Sequence, residues 1–263
     1  MPLSHNNGVR IHYEERGRGR TLLLLMGFAT PALGFRQAFV DALTGEFRTV
    51  AVDARGTGRS DHPDEPYSMG DMATDTLGVI DTLGLEDAAV LGASMGGMIA
   101  QEMALAAPER VSRLILVGSS PGRAPDAPPR EAMPLPPSVT DPAWRAATRE
   151  CWRRSFSAKF AEANGPYIDS IVEQLRSQPT PPHTFARHGE ATANFSTYGR
   201  LGEIEQPTLI IQGAEDASVG RAAAETLANG IPDARLEIVS GAGHATMNER
   251  PIEVAELIRG FLA

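Results

Sequence analysis

The chain has 263 residues, 42% apolar and 22% charged, with a formal net charge of −9. This is the size and balance of one large α/β domain, or of a core with an insertion, long enough to bury a core without staples. The acidic balance argues against nucleic acid and anionic membrane surfaces as partners, and a single cysteine, Cys151, rules out an internal disulfide and a thiolate metal site.

The opening "MPLSHNNGVRIHYEERGRGR" carries no long apolar leader, and the longest apolar run, "LLLLM", is far too short to span a membrane. The expected setting is therefore the reducing cytoplasm. "GVRIHYEERG" alternates Val9, Ile11 and Tyr13 and predicts one strand of an opening hairpin. "TLLLLMG" predicts a strand buried on both faces. Phe35, Phe39 and Leu43 fall at helical spacing before Gly45, and "FRTVAVD" predicts the next strand. Ser68 is the expected N-cap of a helix carrying Met72, Leu77, Ile80 and Leu83. "AAVLGA" is a strand, and the helix from Met95 to Ala107 stops at Pro108. "RLILVG", "PTLIIQG" and "ARLEIVS" are further strands, "GRAAAETLANG" is a helix, and "PIEVAELIRGFLA" is a helix begun by proline.

Strand and helix alternate, so a mostly parallel sheet with helices on both faces is expected. The alternation breaks in the middle. Eight prolines stand between Pro121 and Pro142, and proline's missing N–H forbids regular structure there. Helical patterns follow in "DPAWRAATRECWRRSFSAKFAEAN", "GPYIDSIVEQLRSQ" and "PPHTFARHGEATANF". The expected organisation is an α/β core over 1–120 and 203–263 with a helical cap over 121–202. That insertion holds ten Lys/Arg against eight Asp/Glu, while the rest of the chain is strongly acidic. A solvated face explains this charge; a basic lid over an acidic substrate is the sharper alternative.

The stretch with most chemical content is "AAVLGASMGGMIAQEMALAAP". G-x-S-x-G between a strand and a helix is the pattern of a nucleophile elbow: a sharp turn lifts the Ser94 hydroxyl clear of the sheet, and Gly92 and Gly96 leave room where a Cβ would collide. A glycine-rich structural turn is the alternative. A nucleotide loop is not, because neither G-x-G-x-x-G nor Gly-Lys-Ser/Thr is present. A serine needs a base, and the base needs a carboxylate. His244 in "GAGHATMNERP" follows a late strand between small residues, unlike the other five histidines. Glu215 and Asp216 both directly follow "TLIIQG", so either can serve as the acid. The oxyanion needs two backbone donors: the N–H of Met95, after the nucleophile, and one from Met26-Gly27-Phe28-Ala29, where Phe28 N–H is expected.

With these residues in place, the chain resembles the α/β-hydrolase superfamily. "VDARGTGRS", "GASMGGMIAQEMALAAPERVSRLILVGSS", "IQGAED" and "GAGHATMNERP" match in order, over nearly the whole chain and most weakly between about Pro121 and Gly202. Within the superfamily they look most like 3-oxoadipate enol-lactonase and its esterase relatives. The resemblance implies the α/β-hydrolase fold and a serine hydrolase of esters or lactones working without cofactor or metal. It implies Ser94, Asp216 and His244 as triad, preferring Asp216 over Glu215, with Phe28 and Met95 as oxyanion donors. Many relatives have His-Gly where this chain has Met26-Gly27, and the "MG" resembles polyketide-tailoring methylesterases.

The expected substrate is a small molecule, and the expected pocket includes Met26, Trp144, Trp152 and Arg153. Packing within the cap is the alternative for the tryptophans, and a solvated helix face for Arg145, Arg149, Arg153 and Arg154. Cys151 is expected as a small buried hydrophobe. Rival chemistries for the same triad are carbon–carbon or thioester hydrolysis and cofactor-free perhydrolysis. A non-catalytic binding protein on the same fold is a further alternative.

Overall fold

Leu22 and Leu24 pack into one apolar cluster and Leu23 and Leu25 into another, all four buried. A strand sends alternate side chains to opposite faces, so this unbroken run requires cover on both sides of a sheet. The computed structural model, which describes residues 3–6, 8–127 and 135–263, supplies it. The strands are β1 (Leu3–Asn6), β2 (Val9–Arg16), β3 (Arg20–Leu25), β4 (Phe47–Val52), β5 (Ala88–Ala93), β6 (Val111–Val117), β7 (Thr208–Gly213) and β8 (Ala234–Val239). They lie in the order β1-β2-β4-β3-β5-β6-β7-β8. The β1–β2 hairpin and the β2–β4 pair are antiparallel; every other pair is parallel.

The helices of the first part of the chain are α1 (Gln37–Thr44), α2 (Met69–Thr82) and α3 (Met95–Ala106). Ser68 caps α2 as expected. Its Oγ accepts the Asp71 N–H at 3.1 Å, and Asp71 accepts the Ser68 N–H at 2.8 Å. This closes a capping box with Asp where Glu or Gln is usual. Among the described residues four α-helices stand between β6 and β7: α4 (Ala143–Ser155), α5 (Ala158–Ala163), α6 (Gly165–Ser177) and α7 (Pro182–Asn194). The chain ends with α8 (Arg221–Gly230), the one-turn α9 (Thr246–Glu249) and α10 (Pro251–Leu262). Side chains of α1 and α10 cover one face of the sheet, and those of α2, α3 and α8 the other.

Two expectations about the middle segment change. The first long helical pattern is two helices, because Phe156 is extended (ψ 160°) and Ser157 starts a new helix by accepting the Phe160 N–H. Cys151 is exposed rather than buried; its neighbour Trp152 takes the place against the apolar clusters. The proline-rich stretch falls partly on 128–134, outside the described residues. Helices α4 to α6 surround their own cluster of Trp144, Phe156, Ile168, Ile171, Val172 and Leu175. Helix α7 sends Ala191, and Phe195 just beyond it, into the main core instead.

The topology also places a crevice. From β3 the chain crosses to β4 on one side and then returns past β3 to β5 on the other. Loops leaving the C-terminal ends of β3 and β5 therefore diverge, and such a switch point is where open α/β sheets bind ligands. Leu25 of β3 is in register with Gly92 of β5. Two residues beyond each lie Gly27 and Ser94.

Candidate active site

Ser94 joins β5 to α3 with φ +52° and ψ −117°. Among the described residues only Ala29 and Ser94 combine a side chain with a positive φ, and both lie at this switch point. Such backbone costs about 1–3 kcal/mol and persists where surroundings over-determine it. Here the glycines do so. A Cβ on Gly92 would overlap the Gly96 carbonyl, and one on Gly96 the backbone of Leu25. Only bare α-carbons let α3 sit this close to β3 and β5. Met95 opens α3, so the unpaired N–H groups and positive dipole end of that helix face the turn.

His244 and Asp216 come from the loops after β8 and β7. His244 Nδ1 lies 2.9 Å from Asp216 Oδ2; the carboxylate is wholly buried and the imidazole 18% exposed. Asp216 Oδ2 also accepts from the Gln212 amide at 2.8 Å, and Oδ1 accepts the N–H groups of Ser218 (2.8 Å) and Val219 (3.1 Å). Burial pushes the carboxyl pKa up, but the His244 bond and charge, the Val219 N–H and the Gln212 amide outweigh it and hold Asp216 below the ordinary range. Glu215, the other sequence candidate, is exposed. The loops meet closely: a Cβ on Gly213 would overlap the carbonyls of Ala242 and Gly243.

The end of β6 brings these parts together. The Ser94 N–H donates to Val117 O at 2.8 Å, and Ser119 Oγ donates to Ser94 O at 2.8 Å. Between them, Gly118 turns at φ +56°, and a Cβ there would stand 3.2 Å from His244 Nδ1. Three consecutive residues thus touch the serine backbone on one side and the imidazole on the other. The His244 loop is clamped from the insertion. Glu249, buried, accepts the Gly243 N–H (2.6 Å), the Ser157 N–H (2.8 Å) and the Ser157 hydroxyl (2.7 Å), while the Ala245 N–H donates to Ser155 O (2.8 Å).

The loop after β3 lies against the serine. A Cβ on Gly27 would be 3.1 Å from Ser94 Cβ. Residues 27–30 form a turn in which the Thr30 N–H donates to Gly27 O at 3.2 Å and Ala29 takes φ +48°. Among the described residues, neither the Phe28 N–H nor the Met95 N–H has a protein acceptor. His188 of α7, fully buried, accepts the Ala29 N–H at Nδ1 (3.0 Å), and its Nε2 lies 2.9 Å from Arg55 O. Burial pushes its pKa down to about 4, against a smaller upward pull from the Arg55 carbonyl, so the imidazole is neutral.

The other expected residues divide. Met26 is buried beneath the turn at 32–34, in the cluster with Phe35 and Phe39, so its side chain is core. Trp144 is buried in the α4–α6 cluster, which also holds Ala245, next in chain to His244, and half-buried Trp152 bridges that cluster to the core. Arg153 instead stands on the exposed surface of α4, paired with Glu150 on its own helix at 2.7 Å. Arg145 and Arg149 pair with Asp169 and Glu173 of α6. These arginines form a solvated face whose pairs are worth little individually. A cavity of about 400 Å³ opens between α6 and the β2–β4 edge beside His12, Arg36, Asp53 and Tyr167, but Ser94, Asp216 and His244 do not border it. Sequence reasoning missed Gln212, Glu249 and His188. The first two sit inside recognised stretches, while nothing local marks His188. Among the described residues no helix is long and apolar enough to cross a membrane.

Comparison with known proteins gives consistent findings. The family model described as alpha/beta hydrolase fold matches residues 20–251. The "Putative carbamate hydrolase RutD" of Azorhizobium caulinodans is 32% identical over 266 residues, covering 99% of this chain and 98% of that protein. A 2-hydroxy-6-oxononadienedioate/2-hydroxy-6-oxononatrienedioate hydrolase of Paraburkholderia phymatum is 32% identical over 269 residues, covering 97% and 91%. The crystal structure of the enol-lactonase from Burkholderia xenovorans LB400 superposes with a TM-score of 0.88 at 25% identity, covering 99% of both chains.

Proposed function

The chain belongs to the α/β-hydrolase fold family, and from that premise we propose that it is a serine hydrolase of carboxylic esters or lactones, using Ser94, His244 and Asp216. The observation that carries this reading is the 2.9 Å contact of His244 Nδ1 with the buried Asp216 carboxylate, with the imidazole beside Gly118 of the β6 end whose neighbours bond the Ser94 backbone. An ionised carboxylate can only accept, so it keeps the proton on Nδ1 and leaves the Nε2 lone pair free as a base. Nε2 takes the Ser94 proton as Oγ attacks the substrate carbonyl. The carbonyl oxygen becomes an oxyanion bonded by the N–H groups of Met95 and Phe28, where one donor is worth about 100- to 1000-fold in rate. The tetrahedral adduct collapses, the bond to the leaving oxygen breaks, and that oxygen takes the proton from Nε2. Water then attacks the acyl-Ser94 with His244 again as base, and the acid leaves. No step calls for a cofactor.

We read residues 121–202 as a cap that shapes specificity. The contacts of α7 with the 27–30 turn, and the cluster that Trp144 shares with Ala245, support this. Trp144 and Trp152 are the pocket residues this reading retains. A second reading, hydrolysis of a carbon–carbon bond beside a ketone by the same residues, is favoured by the Paraburkholderia relative, whose name states a hydrolase of an oxo-dienedioate.

The test is Ser94→Ala. It is expected to lower hydrolysis of p-nitrophenyl esters or lactones by at least about 1000-fold, to abolish labelling by a fluorophosphonate, and to leave the melting temperature unchanged. Undiminished hydrolysis by the variant overturns the reading, and a wild-type serine that takes no label favours a binding protein. Turnover of 2-hydroxy-6-oxononadienedioate with inert esters and lactones selects the second reading.

A further inference from the structure

The 27–30 turn has three peptide planes, and each can be followed to its partners. The Gly27–Phe28 plane contains Gly27 O, which accepts the Thr30 N–H, and the Phe28 N–H, which is free. The Phe28–Ala29 plane contains Phe28 O, which accepts the Thr30 hydroxyl at 2.9 Å, and the Ala29 N–H, which donates to His188 Nδ1 at 3.0 Å. The Ala29–Thr30 plane contains Ala29 O, which accepts the Thr180 hydroxyl at 2.9 Å, and the Thr30 N–H already counted. Every backbone dipole of the turn is thus engaged except the Phe28 N–H.

A positive φ at the third residue is what a type II turn requires, and glycine normally supplies it. Here the residue is Ala29, so the turn is not secured by local preference. The alternative, a type I turn, rotates the central Phe28–Ala29 plane, a choice on which His188 bears. Rotation of that plane alone leaves the Gly27–Phe28 plane, which carries the Phe28 N–H, in place; what the contacts from the insertion secure is the position of Phe28 and Ala29, and so of that N–H, against Ser94. An N–H can only donate, so Nδ1 is the acceptor and Nε2 carries the proton given to Arg55 O at 2.9 Å. A flipped plane would turn the Phe28 carbonyl toward the Nδ1 lone pair, and the two would repel. The Phe28 ring meets His188 and Phe185 of α7 edge-on, with centroids 5.8 and 5.9 Å apart, fixing the same residue from its side chain.

We propose that His188 is a positioning residue: through Ala29, and with Thr180 on the same residue's carbonyl, it holds the turn that aims the Phe28 N–H at the oxyanion. It does not touch substrate. The inference rests on the reading of Phe28 as an oxyanion donor, and it makes the insertion a structural part of the catalytic apparatus.

The test separates the two bonds of the imidazole. Asparagine places its Oδ1 near the Nδ1 position and retains an acceptor for Ala29, whereas glutamine reaches the Nε2 position and retains a donor to Arg55. On a p-nitrophenyl ester, His188→Gln is expected to lose at least about tenfold in kcat, a part of the roughly 100- to 1000-fold that removing one oxyanion donor outright costs. Its KM should stay within about twofold, because the donor acts mainly in the transition state. His188→Asn is expected to stay within about threefold of wild type on the same grounds. Affinity for a trifluoromethyl ketone, whose adduct with Ser94 places an oxyanion in the hole, should fall in parallel with kcat across the set, a correlation that loose packing would not produce. Thr180→Val, at a half-buried position, is expected to lower kcat and ketone affinity together by about threefold, and it decides alone if His188→Gln does not fold. If Ser94 takes no fluorophosphonate label, the serine-hydrolase reading fails and takes this inference with it. If Ser94 is reactive but folded His188→Gln or Thr180→Val matches wild type in kcat and ketone affinity, this inference alone is overturned.

Discussion

Ser94 and Ala29 both hold a positive φ on facing loops, yet they are secured by different parts of the molecule. The sheet secures Ser94: its N–H bonds Val117 O at the end of the neighbouring strand, and glycines on both sides admit the close contact. Side chains some 150 residues away secure Ala29, through Thr180 and His188 of the insertion. One strained residue is thus a property of the core, the other of the core and insertion together. The difference teaches that a site can be half local and half remote, and that the remote half answers to changes far from the serine in sequence.

The largest expected effect tests the core half. Asp216→Asn keeps the shape of the side chain but offers an amide that can settle the imidazole in the wrong tautomer, so kcat is expected to fall on the order of 10⁴-fold with binding of a non-covalent product acid nearly unchanged. A loss under about tenfold would break the assignment of Asp216 and return attention to its neighbours. The assay is ester hydrolysis at pH 7 to 8, where the depressed Asp216 pKa keeps the carboxylate ionised.

The next effect tests the insertion half through acid stability. His188 titrates near 4 when folded and near 6.5 when unfolded. Between those values the unfolded chain binds a proton that the folded chain does not, so stability falls as pH drops from 6.5 to 4 and levels off below. The integrated contribution is about 3 kcal/mol. Denaturant unfolding of wild type and His188→Asn should therefore differ in pH slope across that window. The depressed Asp216 pKa adds its own loss only at lower pH, as the carboxylate protonates below the ordinary range. Parallel pH slopes would remove His188 from the account.

The smallest effect compares the two backbones directly. Ser94→Gly and Ala29→Gly each relieve a side chain at positive φ, and each is expected to raise unfolding free energy by about 1 kcal/mol, net of the added flexibility of the unfolded chain. Activity should then divide them: Ser94→Gly lacks the proposed nucleophile, whereas Ala29→Gly keeps the hydrogen bonds of the turn and is expected to keep most of kcat. Destabilisation by Ala29→Gly would show that the turn carries no strain.

Much of this was legible in the sequence. The alternation of apolar runs and helical patterns gives the parallel sheet, since burial on both faces leaves no polar positions in a strand such as "TLLLL". The Gly92-x-Ser94-x-Gly96 spacing marks the elbow because only small residues pass the β5–α3 crossing. The helix break at Phe156 and the exposure of Cys151 were not legible, because apolar periodicity runs through both without saying where the chain bends or which neighbour covers it. The pairing of Arg153 with Glu150, three positions apart on one helix, was open to sequence spacing; the pairing of Arg145 and Arg149 with α6 was not, because it joins two helices.

What the sequence determined by itself was everything set by neighbours along the chain: the strands, the capped helix at Ser68, and the tight serine turn. The resemblance preferred Asp216 over Glu215, and the tertiary structure brings Asp216 to His244; only the tertiary structure decided that Glu249 clamps the His244 loop and that His188 reaches Ala29 across more than half of the chain. The physical reason is range. Turns, caps and periodicities depend on residues a few positions apart, whereas a hydrogen bond between distant loops exists only once the sheet has brought their ends together.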